Sequence, residues 1–282
     1  MDRTLIKLYL VIVAAAALML FTLPAALGHT AAWTLDTWTR VQLAAAGDVQ
    51  PISQSAAGQT GKVVFVMDDG WDTQYTAGFP LFQKYGYKGC VAVIPAAVGM
   101  DGYITYHQLA EMYMDGWDML NHTYNHVSLP ALTDEEKAAQ MKRARKWLKA
   151  RGFKRGADVL IFPGGAFDDA TVQVMQKERF AAGRSLKSLW AVDQDCSVDG
   201  VEVCNLISGM PFENATGAVD KAMNNGSAVI FMVHKIEPVT DQTYMQVEEA
   251  FIKDLLDYIS QNADRLSVIT LTELLSSLEN TK

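Results

Sequence analysis

Apolar residues fall into two alternating kinds of stretch along this chain. Short, mostly apolar runs occur at 63–67, 90–94, 117–120, 159–162, 227–233 and 268–270, most of them rich in β-branched residues, with Asp118 the charged exception in 117–120. Such runs predict strands buried on both faces, as in a parallel sheet. Between them lie longer stretches with helical spacing, at 73–85, 105–114, 133–151, 169–178, 245–259 and 272–278. The first is interrupted at Pro80 and stops before Gly86, and the second stops before Gly116. The third opens on Thr133 as N-cap with Glu136 three residues on, a capping-box pattern, and ends before Gly152. Strand and helix in alternation imply six or seven parallel βα units, and hence an α/β fold. The expected architecture is a distorted (β/α) barrel of about seven strands, in which chemistry collects at the C-terminal ends of the strands.

The N-terminal end breaks this pattern. Arg3 and Lys7 precede an apolar run at 8–27, interrupted only by Thr22 and Pro24. A basic start followed by an apolar run of about 20 residues predicts an export signal or a bilayer-spanning anchor. Ala26 and Gly28 suit cleavage before His29, so residues 1–28 are read as a signal peptide or an N-terminal membrane anchor. Both readings place the rest of the chain outside the cytoplasm, with the membrane as a partner only if the segment stays uncleaved. Residues 29–61 lack periodicity and are rich in Ala, Gln, Ser, Thr and Gly, which predicts a linker. Trp33 and Trp38 there would suit a membrane surface or the face of the domain. The folded domain is expected over 62–282.

Charge and cysteine content narrow the picture a little. The net charge of −8 and pI near 5.1 argue against nucleic acid as a partner. Cys196 and Cys204, eight apart, could form a disulfide in an exported protein or remain free thiols. Cys90, within an apolar run, is a core residue.

The polar residues at the predicted strand ends carry the chemistry. The run 63–67 leads directly into Asp68-Asp69-Gly70. Two adjacent carboxylates are costly to keep together without a cation, which suggests one ligand and one base, although Asp-Gly is also an ordinary turn former. The run 117–120 leads into Asn121-His122-Thr123-Tyr124-Asn125-His126. Imidazoles four apart can share one side of a helical turn and suit two ligands of one ion. His234 ends the run 227–233, and Pro163-Gly164-Gly165 follows 159–162, where a backbone N–H could meet an oxyanion. His107 and His29 carry no such signal.

In this order the four sites resemble the polysaccharide deacetylase family, the carbohydrate esterases that include chitin and peptidoglycan deacetylases. The family's Thr-Phe-Asp-Asp-Gly corresponds to Val66-Met67-Asp68-Asp69-Gly70, and its His-(Ser/Thr)-x-x-His to His122-Thr123-Tyr124-Asn125-His126. Its Arg-x-Pro-Tyr-Gly corresponds to Ile161-Phe162-Pro163-Gly164-Gly165, and its Leu-x-His to Met232-Val233-His234. The stretches 90–95, 103–105 and 108–109 also look familial, and the likeness runs from about 62 to 275.

The resemblance implies a hydrolase removing N-acetyl groups from hexosamines of an acetylated glycan. Asp69, His122 and His126 would hold one divalent ion, zinc first, with cobalt or another divalent ion as alternatives. Asp68 would be the base, His234 the general acid, and the Gly164 backbone the oxyanion donor. The alternatives are an O-acetyl polysaccharide esterase and a non-catalytic glycan-binding protein on the same fold. The sequence departs from the family at three places. The family arginine falls at Ile161, with Arg184 as a candidate substitute; its tyrosine is Gly164; and Lys235 follows the last histidine where Asp is usual. A fourth, Asp-rich motif ending in Trp has only 192–195 as a candidate, and no Trp follows.

Overall fold

A computed structural model describes residues 61–192, 196–241 and 245–279. The N-terminal segment, nearly all of the linker and most of the Asp-rich candidate at 192–195 lie outside the described residues.

Strand β1 (Gly61–Met67) is the centre of a ten-stranded sheet. A π-turn over Gln74–Gly78 leads without a break into helix α1 (Phe79–Tyr85), with Pro80 in its first turn. There follow β2 (Cys90–Val93), α2 (Tyr106–Met114), β3 (Asp118–Asn121), α3 (Asp134–Ala150), β4 (Val159–Ile161) and α4 (Asp169–Lys177). Then come β5 (Ala182–Arg184), β6 (Leu189–Ala191), β7 (Cys196–Ser197), β8 (Val201–Asn205), α5 (Phe212–Asn225) and β9 (Ala228–Val233). The chain closes with β10 (Lys235–Glu237), β11 (Gln246–Glu248), α6 (Glu249–Gln261), β12 (Leu266–Val268) and α7 (Leu271–Glu279).

The order β8-β9-β1-β2-β3-β4-β5 is parallel throughout, and β6 and β7 extend it antiparallel. These seven parallel strands with their helices are the expected barrel-like α/β fold, but the hydrogen-bonded strand order does not close into a ring among the described residues. β1 has a divided edge: its first half pairs with β12 and its second half with β2.

Alternation along β1 feeds two cores, as the two-residue period of a strand requires. Val63, Phe65 and Met67 pack with the helical layer, against residues such as Phe82 of α1 and Leu255 of α6. Val64 and Val66 face the other way, with Ala92, Ile161, Ile230 and, from α7, Leu271 and Leu274. Both sides of the strand are therefore apolar, which is why its sequence reads as an unbroken run.

Two boundaries differ from expectation. The stretch 246–248 is a short strand pairing with β10, and α6 starts only at Glu249. The last strand lies at 266–268 rather than 268–270, because Thr270 precedes α7 and its N–H bonds to Glu273. The elements β5 to β8 and α5 had no expected counterpart. Cys196 and Cys204 are free thiols, which decides against the disulfide alternative, and Cys90 is buried as expected.

Candidate active site at the strand ends

The sequence arranges this site through the conformations that follow each strand. Asp68 closes β1, its N–H bonded to the Val233 carbonyl 2.7 Å away. Asp69 then takes a left-handed conformation at φ 74°, and Gly70 follows at φ 76°. A side chain at positive φ is unusual outside Gly. Here it breaks the strand's alternation and lets neighbouring carboxylates serve one site. Gln74, fully buried in the π-turn, donates to the backbone carbonyls of Asp68 at 2.5 Å and His234 at 3.0 Å, tying the ends of β1 and β9 together.

The histidine pair does not lie on a helix, which corrects the sequence reading. His122 to His126 form an irregular turn after β3, with Thr123 and His126 both at φ 60°. Asn121 builds this turn: its side-chain oxygen accepts from Thr123 N–H at 3.0 Å while its amide donates to the Met141 carbonyl at 2.9 Å. Thr123 Oγ1 in turn accepts from His126 N–H at 3.1 Å. The two imidazoles meet edge to face, centroids 4.7 Å apart.

The three sequence-predicted ligands come together. Nε2 of His122 and Nε2 of His126 lie 3.2 and 3.3 Å from the same atom, Asp69 Oδ1. One donor atom from each residue falls within 4.8 Å of the others. His122 is oriented by the Ile161 carbonyl, 2.8 Å from its Nδ1. A carbonyl only accepts, so Nδ1 carries the proton and, in the neutral ring, Nε2 presents a lone pair toward Asp69. Asp69 Oδ1 is buried and has no hydrogen-bond partner among the described residues. Lone pairs converging on an orphaned carboxylate oxygen are what a cation would relieve, so the donor set fits a divalent ion with nitrogen and oxygen ligands.

Burial pushes the Asp69 carboxyl up, but the neighbouring His122, His126 and His234 rings, when they carry a proton toward it, outweigh burial and bring it to about 2. Burial and the neighbouring His122 lower His126, against the pull of Asp69 and Asp68.

The missing family arginine is made good from the next strand. Ile161 on β4 is the register partner of Arg184 on β5. Arg184 is completely buried, and its guanidinium donates to Asp68 Oδ1 and, at 3.0 Å, to Met232 Sδ. The positive partner of Asp68 thus sits across one strand gap from the position where the family pattern expects it. Arg184 is the candidate substitute in the sequence, although nothing local marks it as buried.

His234 directly follows β9, its carbonyl bonded by Gln74, and its Nδ1 is buried without a hydrogen-bond partner among the described residues. Gly164 lies in a short turn after β4 at φ 60°, with nothing within 4 Å of where a side chain would begin. Trp71, which carried no sequence signal, donates its indole N–H to Asp69 Oδ2 at 3.1 Å.

Residues 56–183 match the polysaccharide deacetylase family. Along the sequence, 121 residues are 26% identical to YxkH of Bacillus subtilis strain 168, a protein named for the polysaccharide deacetylases. That alignment covers 43% of this chain and 43% of YxkH, so the chain spans less than half the length of that curated relative. A Mycobacterium smegmatis protein shares the fold with TM-score 0.59 and 13% identity, over 82% of this chain and 95% of its own. A family 4 acetyl xylan esterase from Clostridium thermocellum, solved in complex with a cobalt ion, gives TM-score 0.50 and 18% identity, over 78% and 92% of the two chains. The polysaccharide deacetylase motifs therefore sit in a fold shared with carbohydrate esterases.

Proposed function

We propose that this domain is a metal-dependent hydrolase that removes N-acetyl groups from hexosamine residues of a polysaccharide. The observation that carries the reading is Asp69 Oδ1, buried, unpartnered and faced by two imidazole nitrogens. Asp69, His122 and His126 would hold the ion, with zinc first among the candidates and cobalt or another divalent ion as alternatives. A divalent ion there would polarise the acetyl carbonyl and make water more acidic.

The chain's own groups supply the rest. Asp68, fixed by the buried guanidinium of Arg184, takes the proton of the attacking water. The exposed turn at Gly164 offers a backbone N–H to the oxyanion of the tetrahedral intermediate. The departing amine is a poor leaving group and needs a proton, which His234 provides from the end of β9.

An O-acetyl esterase would use the same base with less need of His234, and the acetyl xylan esterase among the structural neighbours motivates that second reading. Acetate release from chitooligosaccharides, peptidoglycan and acetylated xylan, with metal content known, separates the readings. Release from the N-acetylated glycans is expected. Release from xylan alone would favour the esterase, and none from a metal-loaded protein would leave a glycan-binding role. The basic start and apolar run at 1–28 support export of the domain. A reporter fused after residue 61 should then be recovered outside the cytoplasm, and recovery only from the cytosol would refute export.

A further inference from the structure

Asp69 uses its two oxygens differently. Oδ1 faces His122 and His126 and has no hydrogen bond, whereas Oδ2 accepts the Trp71 indole N–H at 3.1 Å. The indole is itself held on several sides. Its backbone forms an antiparallel bridge with Tyr103, and the two rings stack with centroids 4.5 Å apart. The Lys235 ammonium lies 4.2 Å from the centre of the indole, a cation–π contact. The neighbouring backbone is laced across the same two loops, Ile104 N–H to the Gly70 carbonyl at 2.9 Å and Asp72 N–H to the Gly102 carbonyl at 3.0 Å. Lys235 is the residue that replaces the usual acid after the last motif histidine, so this departure from the family pattern has a structural role beside the site.

We propose that Trp71 is a positioning residue for the metal ligand: its N–H engages Asp69 Oδ2, so that Asp69 offers the ion Oδ1 alone. A free carboxylate can bind an ion through one oxygen or both. One oxygen plus two imidazole nitrogens leaves more positions open for water and an acetyl carbonyl than a two-oxygen grip would. Hydrogen bonds to a ligand's far atom typically alter metal affinity about 10- to 100-fold. This inference rests on the metal reading above.

The test uses the full chain, freed of metal by chelation and titrated with Co2+ alone, which reports affinity and, through its visible absorption, coordination number. Wild type, Trp71→Phe, Asp69→Asn and Trp71→benzothienylalanine are compared; the last replaces the indole N–H by sulfur at nearly constant shape. Both Trp71 variants should bind Co2+ about tenfold or more weakly. Their bands should be weaker than those of wild type, as for a higher coordination number. If Trp71→Phe fails to fold, the benzothienyl variant decides alone. Affinity and spectrum equal to wild type in that variant would overturn the role of Trp71 while leaving the metal site intact. Absence of specific Co2+ binding in wild type, or binding that survives Asp69→Asn, would overturn both.

Discussion

At the scale of single residues, the site depends on neighbours doing different work. Asp68 and Asp69 are adjacent, yet the left-handed turn at Asp69 gives them different partners, Arg184 for one and the imidazoles for the other. Asp69→Asn should therefore lose both metal and turnover. Asp68→Asn should keep the metal and lose on the order of 10²–10⁴-fold in rate. Metal content and acetate release on both variants check this, and near-normal turnover in Asp68→Asn would place the base elsewhere. Arg184→Met should be harsher on the fold than either. It strands a buried carboxylate, a change that costs about 3–5 kcal/mol when one partner of a buried pair is removed. Urea unfolding should show a lower midpoint, and an unchanged midpoint would mean that the pair contributes little to folding.

At the scale of elements, caps place the helices that flank the site. Asp168 caps α4, its carboxylate accepting from Thr171 N–H at 2.7 Å, and Lys137 approaches at 3.4 Å. The Thr171 hydroxyl bond first, and then its N–H and Lys137, lower the Asp168 carboxyl below its ordinary 3.8 despite some burial. A carboxyl lowered on folding stabilises fully above its unfolded value, and that contribution fades as pH falls through the folded value. Asp168→Ala should thus cost about 1 kcal/mol near pH 7, the usual worth of such a cap. The difference should shrink as the pH is taken well below the ordinary 3.8. Denaturant titrations at the two pH values measure it, and an equal cost at both would show that the ionised cap is not responsible. α3 is capped likewise, by Thr133 and Glu136, as its sequence indicated.

At the scale of the whole described domain, the candidate ligands come from two strands separated in sequence, Asp69 after β1 and His122 and His126 after β3. β2 lies between those strands and pairs with both. An ion bound by all three would tie the two strand ends together and favour the folded state by mass action, by about 2.7 kcal/mol at a hundredfold excess over the dissociation constant. Melting with Zn2+ should therefore occur at a higher temperature than after chelation, and Asp69→Asn should abolish the difference. A melting point unchanged by Zn2+ in wild type would argue against the shared site.

The sequence by itself determined the alternation of buried strands and helices, because strands buried on both faces are mostly apolar along their length and the helices between must span back. It also singled out Asp68, Asp69, His122, His126 and His234 as candidates, because each follows a predicted strand end, and the structure places each at or just after such an end. The short strands β5 to β8 carried too few residues to show a period, and 246–248 was absorbed into the helix that follows it. Only the tertiary structure decided which positive charge serves Asp68. Register between β4 and β5 sets Arg184 opposite Ile161, and register is a relation between strands rather than a property of either. Trp71 was illegible for the same reason: an aromatic after a turn has many uses, and a hydrogen bond to Asp69 Oδ2 exists only once Tyr103 and Lys235 have fixed the ring.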